Sequence, residues 1–503
     1  MMKKLLLLML SFLGLGGLAA EKPNIIIIYA DDMGHGDISV MNPDSKIPTP
    51  HLDKLATTAL RFDDGHSSSG ICTPSRYALL TGNYHWRRMH GIVNSFGASV
   101  FEKNEMTLPR MLKQQGYKTA CIGKWHLGFD WKAIMIDPKA KVKSGKKSAY
   151  SPKAFDWSKP IPGGPLSIGF DYYFGDGVIN FPPYCWIEND RVTETPTVML
   201  DLKGTKPPEG GWECRPGPAV KDWDHYAVLP TLTDKTLDYL DQQKKDEAFF
   251  LYFALPGPHA PIIPNKEFIG KSQAGPYGDF VYQIDWITGQ VVNKLKEKGL
   301  YENTLLIFTA DNGPEHYAYT RATKFKHYSP GKLRGLKRDV YEGGHRVPFF
   351  ISWPNKIKAA TTNETISQVD LMATIAKITG ASLKENEAVD SYNMLNILMG
   401  EKAQNAVREA TVQNTFENQF AIRRGDWLFI DANTGHRSRV SADYLAKHGF
   451  HPINKKAPGL LYNLKDDLAQ KNNLYDQNPE IVKELKALLT KYRESKRSAP
   501  LLD

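Results

Sequence analysis

Asn24-Ile25-Ile26-Ile27-Ile28-Tyr29-Ala30-Asp31-Asp32 is the stretch on which the fold turns. An unbroken isoleucine run with no apolar/polar alternation reads as a strand buried on both faces. Strands of that kind belong to parallel sheets covered by helices, and this one stops at two carboxylates. Ligands of open α/β sheets bind beyond the carboxyl ends of the strands. The same residues therefore indicate both the architecture and where a site should lie.

Working outward, short apolar runs alternate with amphipathic stretches, the pattern of a parallel-rich α/β sheet. Thr49 and Pro50 predict a helix start, with Leu52, Leu55, Ala56 and Ala59 on one face. A helix over 107–115, closed by Gly116, precedes a strand over 117–123. Further buried strands are predicted over 248–254, 304–310 and 347–353, and a helix over 368–379 ends at Gly380. Residues 140–225, rich in Gly, Pro, Lys and aromatics, read as long excursions over a surface. Beyond Gly400 a strand pair over 421–431, a short strand over 460–464 and a charged amphipathic helix over 479–496 predict a smaller α+β subdomain. The expected organisation is a segment over 1–20, a main domain over 21–400 and a C-terminal subdomain over 401–503.

Residues 1–20 have the form of a cleavable secretory signal: Lys3 and Lys4, an apolar run from Leu5 to Leu18, then small residues. The run is too short to span a bilayer, and no later segment is apolar enough to do so. The expectation is a periplasmic or secreted protein. Losing Lys3 and Lys4 lowers the formal net charge from +9 to +7. That excess suits a polyanionic substrate, and its scatter along the chain argues against nucleic acid. Four cysteines in 503 residues are too few for a disulfide framework. Cys121 reads as core, and Cys185 and Cys214 could bridge each other. Cys72 is left over.

Cys72 opens the sequence Cys-Thr-Pro-Ser-Arg. Pro74 suits a first helical turn, so Cys72 belongs at a helix N-terminus, where free N–H groups, the dipole and Arg76 one turn on favour an anion. A free cysteine is also commonly just a core residue, so the other strand ends matter. The first strand ends in Asp31-Asp32, the strand through Cys121 leads to Lys124-Trp125-His126, the strand through Phe250 to His259, and the strand through Phe308 to Asp311-Asn312. Each alone could be a turn or a helix cap. Together at one sheet edge they describe a site, and three carboxylates with one amide oxygen suit Ca²⁺ or Mg²⁺ rather than zinc.

Asp31-Asp32, C-T-P-S-R from Cys72, G-K-W-H from Gly123, G-P-H-A-P from Gly257, A-D-N-G from Ala310 and G-L-K-R-D-V-Y-E-G-G from Gly335 closely resemble the type I, formylglycine-dependent sulfatases. L-Y-N-L-K-D-D from Leu461 resembles that family's C-terminal strand and turn. The resemblance implies an alkaline-phosphatase-like fold: a mixed, mostly parallel sheet sandwiched by helices, with a smaller α+β C-terminal subdomain. It implies that Cys72 is oxidised to formylglycine by a formylglycine-generating or anaerobic sulfatase-maturating enzyme. It further implies that Asp31, Asp32, Asp311, Asn312 and the modified Cys72 hold the Ca²⁺. By the same resemblance Asp311 takes the proton of the attacking hydroxyl, Lys124 and Lys337 bind sulfate, and Arg76 offsets developing charge. His259 protonates the leaving oxygen, and His126 drives release of sulfate from a covalent sulfo-enzyme intermediate.

Two other readings remain at this stage. Alkaline-phosphatase-like phosphoryl hydrolases use the same architecture, although with Ser or Thr as nucleophile and more metal ligands. A glycan-binding protein without activity would require lost catalytic positions, and none is lost. By the same resemblance the substrate leans to galactose or N-acetylgalactosamine 6-sulfate cleaved by exo action, with 3-O and 4-O sulfates open. Tyr172, Tyr173, Phe174, Phe181, Tyr184, Trp186 and Trp223 suit a sugar platform and equally suit anchoring of the loops, and His225, His316, Arg321 and His345 are the candidate specificity residues.

Overall fold

A computed structural model describes residues 22–144, 147–401 and 406–502. The signal read over 1–20 lies outside them. Among the described residues no helix is long and apolar enough to cross a membrane.

A ten-stranded sheet forms the centre of the molecule. In chain order its strands are β1 (Asn24–Ala30), β2 (Ala59–Phe62), β3 (Lys118–Lys124), β4 (Tyr172–Gly177), β5 (Ile187–Glu188), β6 (Arg191–Val192), β7 (Phe249–Ala254), β8 (Thr304–Ala310), β9 (Phe349–Ser352) and β10 (Ala360–Thr362). They lie in the order β10-β2-β9-β8-β1-β7-β3-β4-β5-β6. The run from β8 through β1, β7 and β3 to β4 is parallel, so these carboxyl ends share one edge. The pairs β8–β9 and β9–β2 are antiparallel.

Successive side chains of a strand point to opposite faces, and the isoleucine run feeds two cores. Ile25, Ile27 and Tyr29 pack with α2 (Cys72–Thr81), α3 (Leu108–Gln114) and α6 (Leu371–Thr379), while Ile26, Ile28 and Ala30 pack with α1 (Pro50–Ala56), α4 (Val228–Asp241) and α5 (Gly275–Glu297). The expected helix-covered, mostly parallel sheet is therefore present. A separate antiparallel sheet of β11 (Thr411–Phe416), β12 (Gln419–Arg424), β13 (Trp427–Asp431) and β14 (Leu460–Asn463) carries α7 (Pro479–Glu494) on one face. Its core includes Ala78 of α2, so the small sheet backs the helix that begins at Cys72.

Several expectations need correction. The helix from Pro50 stops at Ala56, and Ala59 opens β2 because its backbone pairs with Ser352. Thr49 does not cap that helix through its side chain, which instead donates to Asp53 at 3.0 Å. Asp285 of α5 accepts the Leu52 and His51 N–H groups at 2.7 and 3.2 Å in its place. The region read as surface excursions contributes the parallel strand β4, and the C-terminal sheet gains β11. Cys185 and Cys214 are both free thiols; the Cys214 Sγ lies 3.5 Å from His225 Nε2. The aromatics read as a sugar platform are mostly anchors: Tyr173, Phe174, Phe181 and Tyr184 are buried, Tyr172 stacks on Tyr239, and Trp186 packs between Phe174 and Trp223.

Candidate active site

The five neighbouring parallel strands deliver polar side chains to one edge. After β1 the chain turns at Asp32, whose φ of 63° is unusual for a residue with a Cβ and marks a backbone held by its surroundings. The Asp32 N–H donates to Asp311 Oδ1 at 3.1 Å, tying the end of β1 to the end of β8. Gly123 makes the matching turn in β3 with φ 111°. A Cβ there would sit 2.0 Å from the Ala254 carbonyl oxygen, so only glycine lets β3 approach β7 while aiming Lys124 at the site.

Cys72 is the first residue of α2, after an extended Ile71. Its Sγ lies 3.6 Å from Asp31 Oδ1, and one ligand atom from each of Asp31, Asp32, Cys72 and His259 falls within 4.8 Å of the others. Arg76, fully buried, donates to Asp311 Oδ2 at 2.9 Å, lies 3.6 Å from Asp31 Oδ2 and stands over the Tyr29 ring. Lys124 pairs with Asp31, and Lys337 Nζ reaches Asp32 Oδ1 at 2.7 Å. Three carboxylates are thus matched by three cations. A divalent cation and the single negative charge of a sulfate ester would together add only one net positive charge to the cluster.

Burial, and then Asp311, push the Cys72 thiol far above its ordinary range. That direction disfavours a thiolate at an unmodified Cys72. Burial, and then Asp31, push the Asp311 carboxyl up to about 7. Burial, with Lys124 and Arg76, holds the His126 imidazole well below its ordinary range. Its Nε2 lies 3.0 Å from the Val93 carbonyl, which can only accept, so the proton is on Nε2 and the unpartnered Nδ1 carries the lone pair. The His259 Nδ1 donates to the Ala260 carbonyl, leaving Nε2 free 3.8 Å from Asp32 Oδ2. Burial, and then Lys337, lower the His259 pKa.

A hard cation fits this donor set. Asn312 Nδ2 donates to Asp32 Oδ1 at 2.7 Å, while its Oδ1 is buried without a partner. That bare amide oxygen and the three carboxylates are oxygen donors of the kind Ca²⁺ and Mg²⁺ take, with the Cys72 sulfur and the His259 ring beside them.

Residues 23–381 match the family model described as Sulfatase. The chain belongs to the sulfatase family. It is 33% identical to the N-acetylgalactosamine-6-O-sulfatase of Bacteroides thetaiotaomicron, over 94% of this chain and 93% of that protein. It is 31% identical to human arylsulfatase A, over 94% of this chain and 88% of the relative. A solved Bacteroides thetaiotaomicron structure, described with the metabolism of multiple glycosaminoglycans, superposes with a TM-score of 0.78 at 31% identity, covering 95% of this chain and all of that one. The phosphonate monoester hydrolase of Agrobacterium radiobacter shares the fold alone, with a TM-score of 0.59 at 15% identity. The chain is accordingly a sulfuric ester hydrolase.

In this sulfatase Cys72, Arg76, Lys124, His259, Asp31, Asp32, Asp311, Asn312 and Lys337 come together, with His126 held beside them through the Thr73 hydroxyl on its carbonyl. Of the specificity candidates, His316 is nearest. Its Nδ1 lies 2.7 Å from Glu315 Oε1, and Glu315 Oε2 lies 3.6 Å from Lys337. Arg321 is a layer back, paired with Glu209 at 2.7 Å and flat over Tyr277, whose hydroxyl reaches the Asp32 carbonyl. His225 is packed among Tyr184, Trp212 and Trp223. His345 faces away from the site: its Nδ1 meets His66 Nδ1 at 3.0 Å in a buried group with Glu342. Glu315 and Arg338 flank the site and were not singled out by sequence, although Arg338 stands inside the motif quoted from Gly335. Asp176 was missed because β4 was missed.

Proposed function

We propose that this chain is an exported carbohydrate sulfatase that hydrolyses sulfate esters of glycans, with galactose or N-acetylgalactosamine 6-sulfate at a chain end as the favoured substrate. Its relatives' names and the cationic, carboxylate-backed pocket support that reading. Oxidised to formylglycine by a maturation enzyme and hydrated, position 72 supplies the hydroxyl that attacks sulfur. Asp31, Asp32, Asp311, Asn312 and the modified side chain would hold a Ca²⁺ or Mg²⁺, which would supply positive charge for the sulfate oxygens.

The chain's own residues do the rest. Asp311, whose Oδ2 accepts from Arg76 at 2.9 Å, takes the proton of the attacking hydroxyl. Lys124 and Lys337 bind sulfate oxygens as point charges, and Arg76 fixes Asp311 and Asp31 while offsetting the charge that develops. His259 acts in its doubly protonated form: Nδ1 stays on the Ala260 carbonyl while Nε2 gives its proton to the leaving sugar oxygen, with the Lys337 ammonium beside it to resupply that proton. His126 Nδ1, the lone-pair nitrogen, removes the proton from the second hydroxyl of position 72 so that sulfate can depart. Every residue given a role lies before residue 400, which fits a catalytic domain over 21–400 and a supporting subdomain over 401–503.

The observation that carries the reading is Cys72 itself. It is a buried thiol at the first position of α2, 3.6 Å from Asp31 Oδ1, where the carboxylates, lysines and Arg76 of the strand ends converge. Mass spectrometry of the peptide containing position 72, from protein made with and without a maturation enzyme, tests it alongside sulfate release from a panel of sulfated monosaccharides. Formylglycine content should rise in proportion to activity, and Cys72→Ala should be folded and inactive. Full activity with an unmodified thiol would overturn the mechanism.

A further inference from the structure

Asp176 stands one residue before the end of β4, beside Lys124 in the paired strand β3. It is the fifth carboxyl-edge group of the parallel run and the one that no step above uses. It is 3% exposed, and neither of its carboxylate oxygens has a hydrogen-bond partner. Buried acceptors are almost always satisfied, and leaving a carboxylate bare is costly. Burial accordingly pushes its acid up to about 7. Lys124, the cation nearest in the strand pair, is committed to Asp31.

Asp176 lines a recess of about 30 Å³ together with Val93, His126 and Phe181. Such a space takes one water or one hydroxyl group and no sugar ring. The recess shares a wall with the site, since His126 Nδ1 is aimed away from its Val93 bond and is itself unpartnered. Phe181 meets the His126 ring edge-on at 5.4 Å and is covered by the Arg215 guanidinium at 3.7 Å, with Arg215 tied to Asn94 at 3.1 Å. Phe181, Arg215 and Asn94 thus brace one wall of the recess, and His126 joins it to the site.

We propose that Asp176 is a specificity residue that accepts a hydrogen bond from a free hydroxyl of the sulfated sugar, next to the ester being cleaved. The assignment rests on the sulfatase reading above. A bare carboxylate attracts a hydroxyl donor and repels a second sulfate, so the group it receives is an unsulfated hydroxyl. One carboxylate without other anionic ligands is too little for a metal ion.

The test compares kcat/KM of wild type, Asp176→Asn and Asp176→Ala on N-acetylgalactosamine 6-sulfate, on its 3-deoxy and 4-deoxy analogues, and on 4-nitrophenyl sulfate. Asp176→Ala should lose at least about 100-fold more on the sugar than on the aryl ester, because a site built around a hydroxyl discriminates strongly against its absence. Asp176→Asn, which keeps one acceptor, should lose less. Wild type should lose a similar factor on one deoxy analogue, which wild type and Asp176→Ala then cleave equally well. That wild-type measurement stands even if a variant fails to fold. Equal losses on sugar and aryl esters, or no deoxy analogue that shares the penalty, would overturn the assignment while leaving the sulfatase reading intact. A wild type inactive on every sulfate ester strikes the sulfatase reading and takes this assignment with it.

Discussion

His126 and His259 each commit one ring nitrogen to a backbone carbonyl and present the other to the site, but they present opposite nitrogens. His126 offers Nδ1 and His259 offers Nε2. The division of labour proposed for them separates by substrate. Alkyl sugar sulfates release a strongly basic oxygen, whereas an aryl sulfate leaves with little help. His259→Ala should therefore lose on the order of 10²–10⁴-fold on sugar sulfates, the usual range of general acid catalysis, and be partly spared on 4-nitrophenyl sulfate. His126→Ala should release about one equivalent of product from either ester and then stall, with sulfate retained on the peptide containing position 72. Rapid-quench kinetics with intact-mass detection reads both. Parallel losses on both esters without a burst would make the two histidines anion-binding groups instead. These residues were legible in the sequence because each follows an apolar run and is of a type that turns do not require. His345 was misread for the opposite reason: its motif neighbour Glu342 turns it into the network behind the site, a direction that one sequence cannot express.

Strands show the same contrast. β1, β7 and β8 are continuous apolar runs, and their reading from sequence holds to within a residue. β4 is Tyr-Tyr-Phe-Gly-Asp-Gly, with two glycines set in a Gly/Pro-rich region, so local composition hides a strand that only pairing with β3 makes stable. The link between the two sheets was invisible for a related reason, since it joins residues far apart in sequence. Arg423 of β12 reaches Asp64 at 2.7 Å, where Arg346 and His66 also bind, at 3.1 and 2.9 Å. Burial alone would raise the Asp64 pKa, but Arg346, Arg423 and His66 outweigh it and hold that carboxyl well below its ordinary value of 3.8. Removing one partner from a buried network leaves charge uncompensated, so Arg423→Ala should destabilise the fold by about 3 kcal/mol, the low end for such pairs because Arg346 remains. A depressed folded pKa contributes stability above the unfolded value and loses it as pH falls through the folded one. The gap between wild type and Arg423→Ala in denaturant melts should therefore be full at neutral pH and close only as pH falls through the depressed folded-state pKa of Asp64 in the variant. Arg423→Ala costing as much in an Asp64→Asn background as in wild type would remove Asp64 from the explanation.

At the scale of the whole molecule, the parallel strands, the small sheet and the helix at Cys72 converge on a cluster whose charges already balance. Arg76, Lys124 and Lys337 answer Asp31, Asp32 and Asp311, so the cluster does not need an ion to keep the chain folded. A bound cation instead adds stability by linkage, about 2.7 kcal/mol at a free concentration of 100 Kd. Chelation should then abolish turnover and lower the thermal midpoint while far-ultraviolet circular dichroism at room temperature stays unchanged. Because the donors are three carboxylates and the unpartnered Asn312 amide oxygen, Ca²⁺ or Mg²⁺ should restore both activity and midpoint, and Zn²⁺ should not. Elemental analysis of the purified protein gives the independent check. Stoichiometric zinc with negligible calcium and magnesium would contradict the hard-cation site. Loss of secondary structure on chelation would show that the lysine and arginine partners cannot hold the carboxylates by themselves.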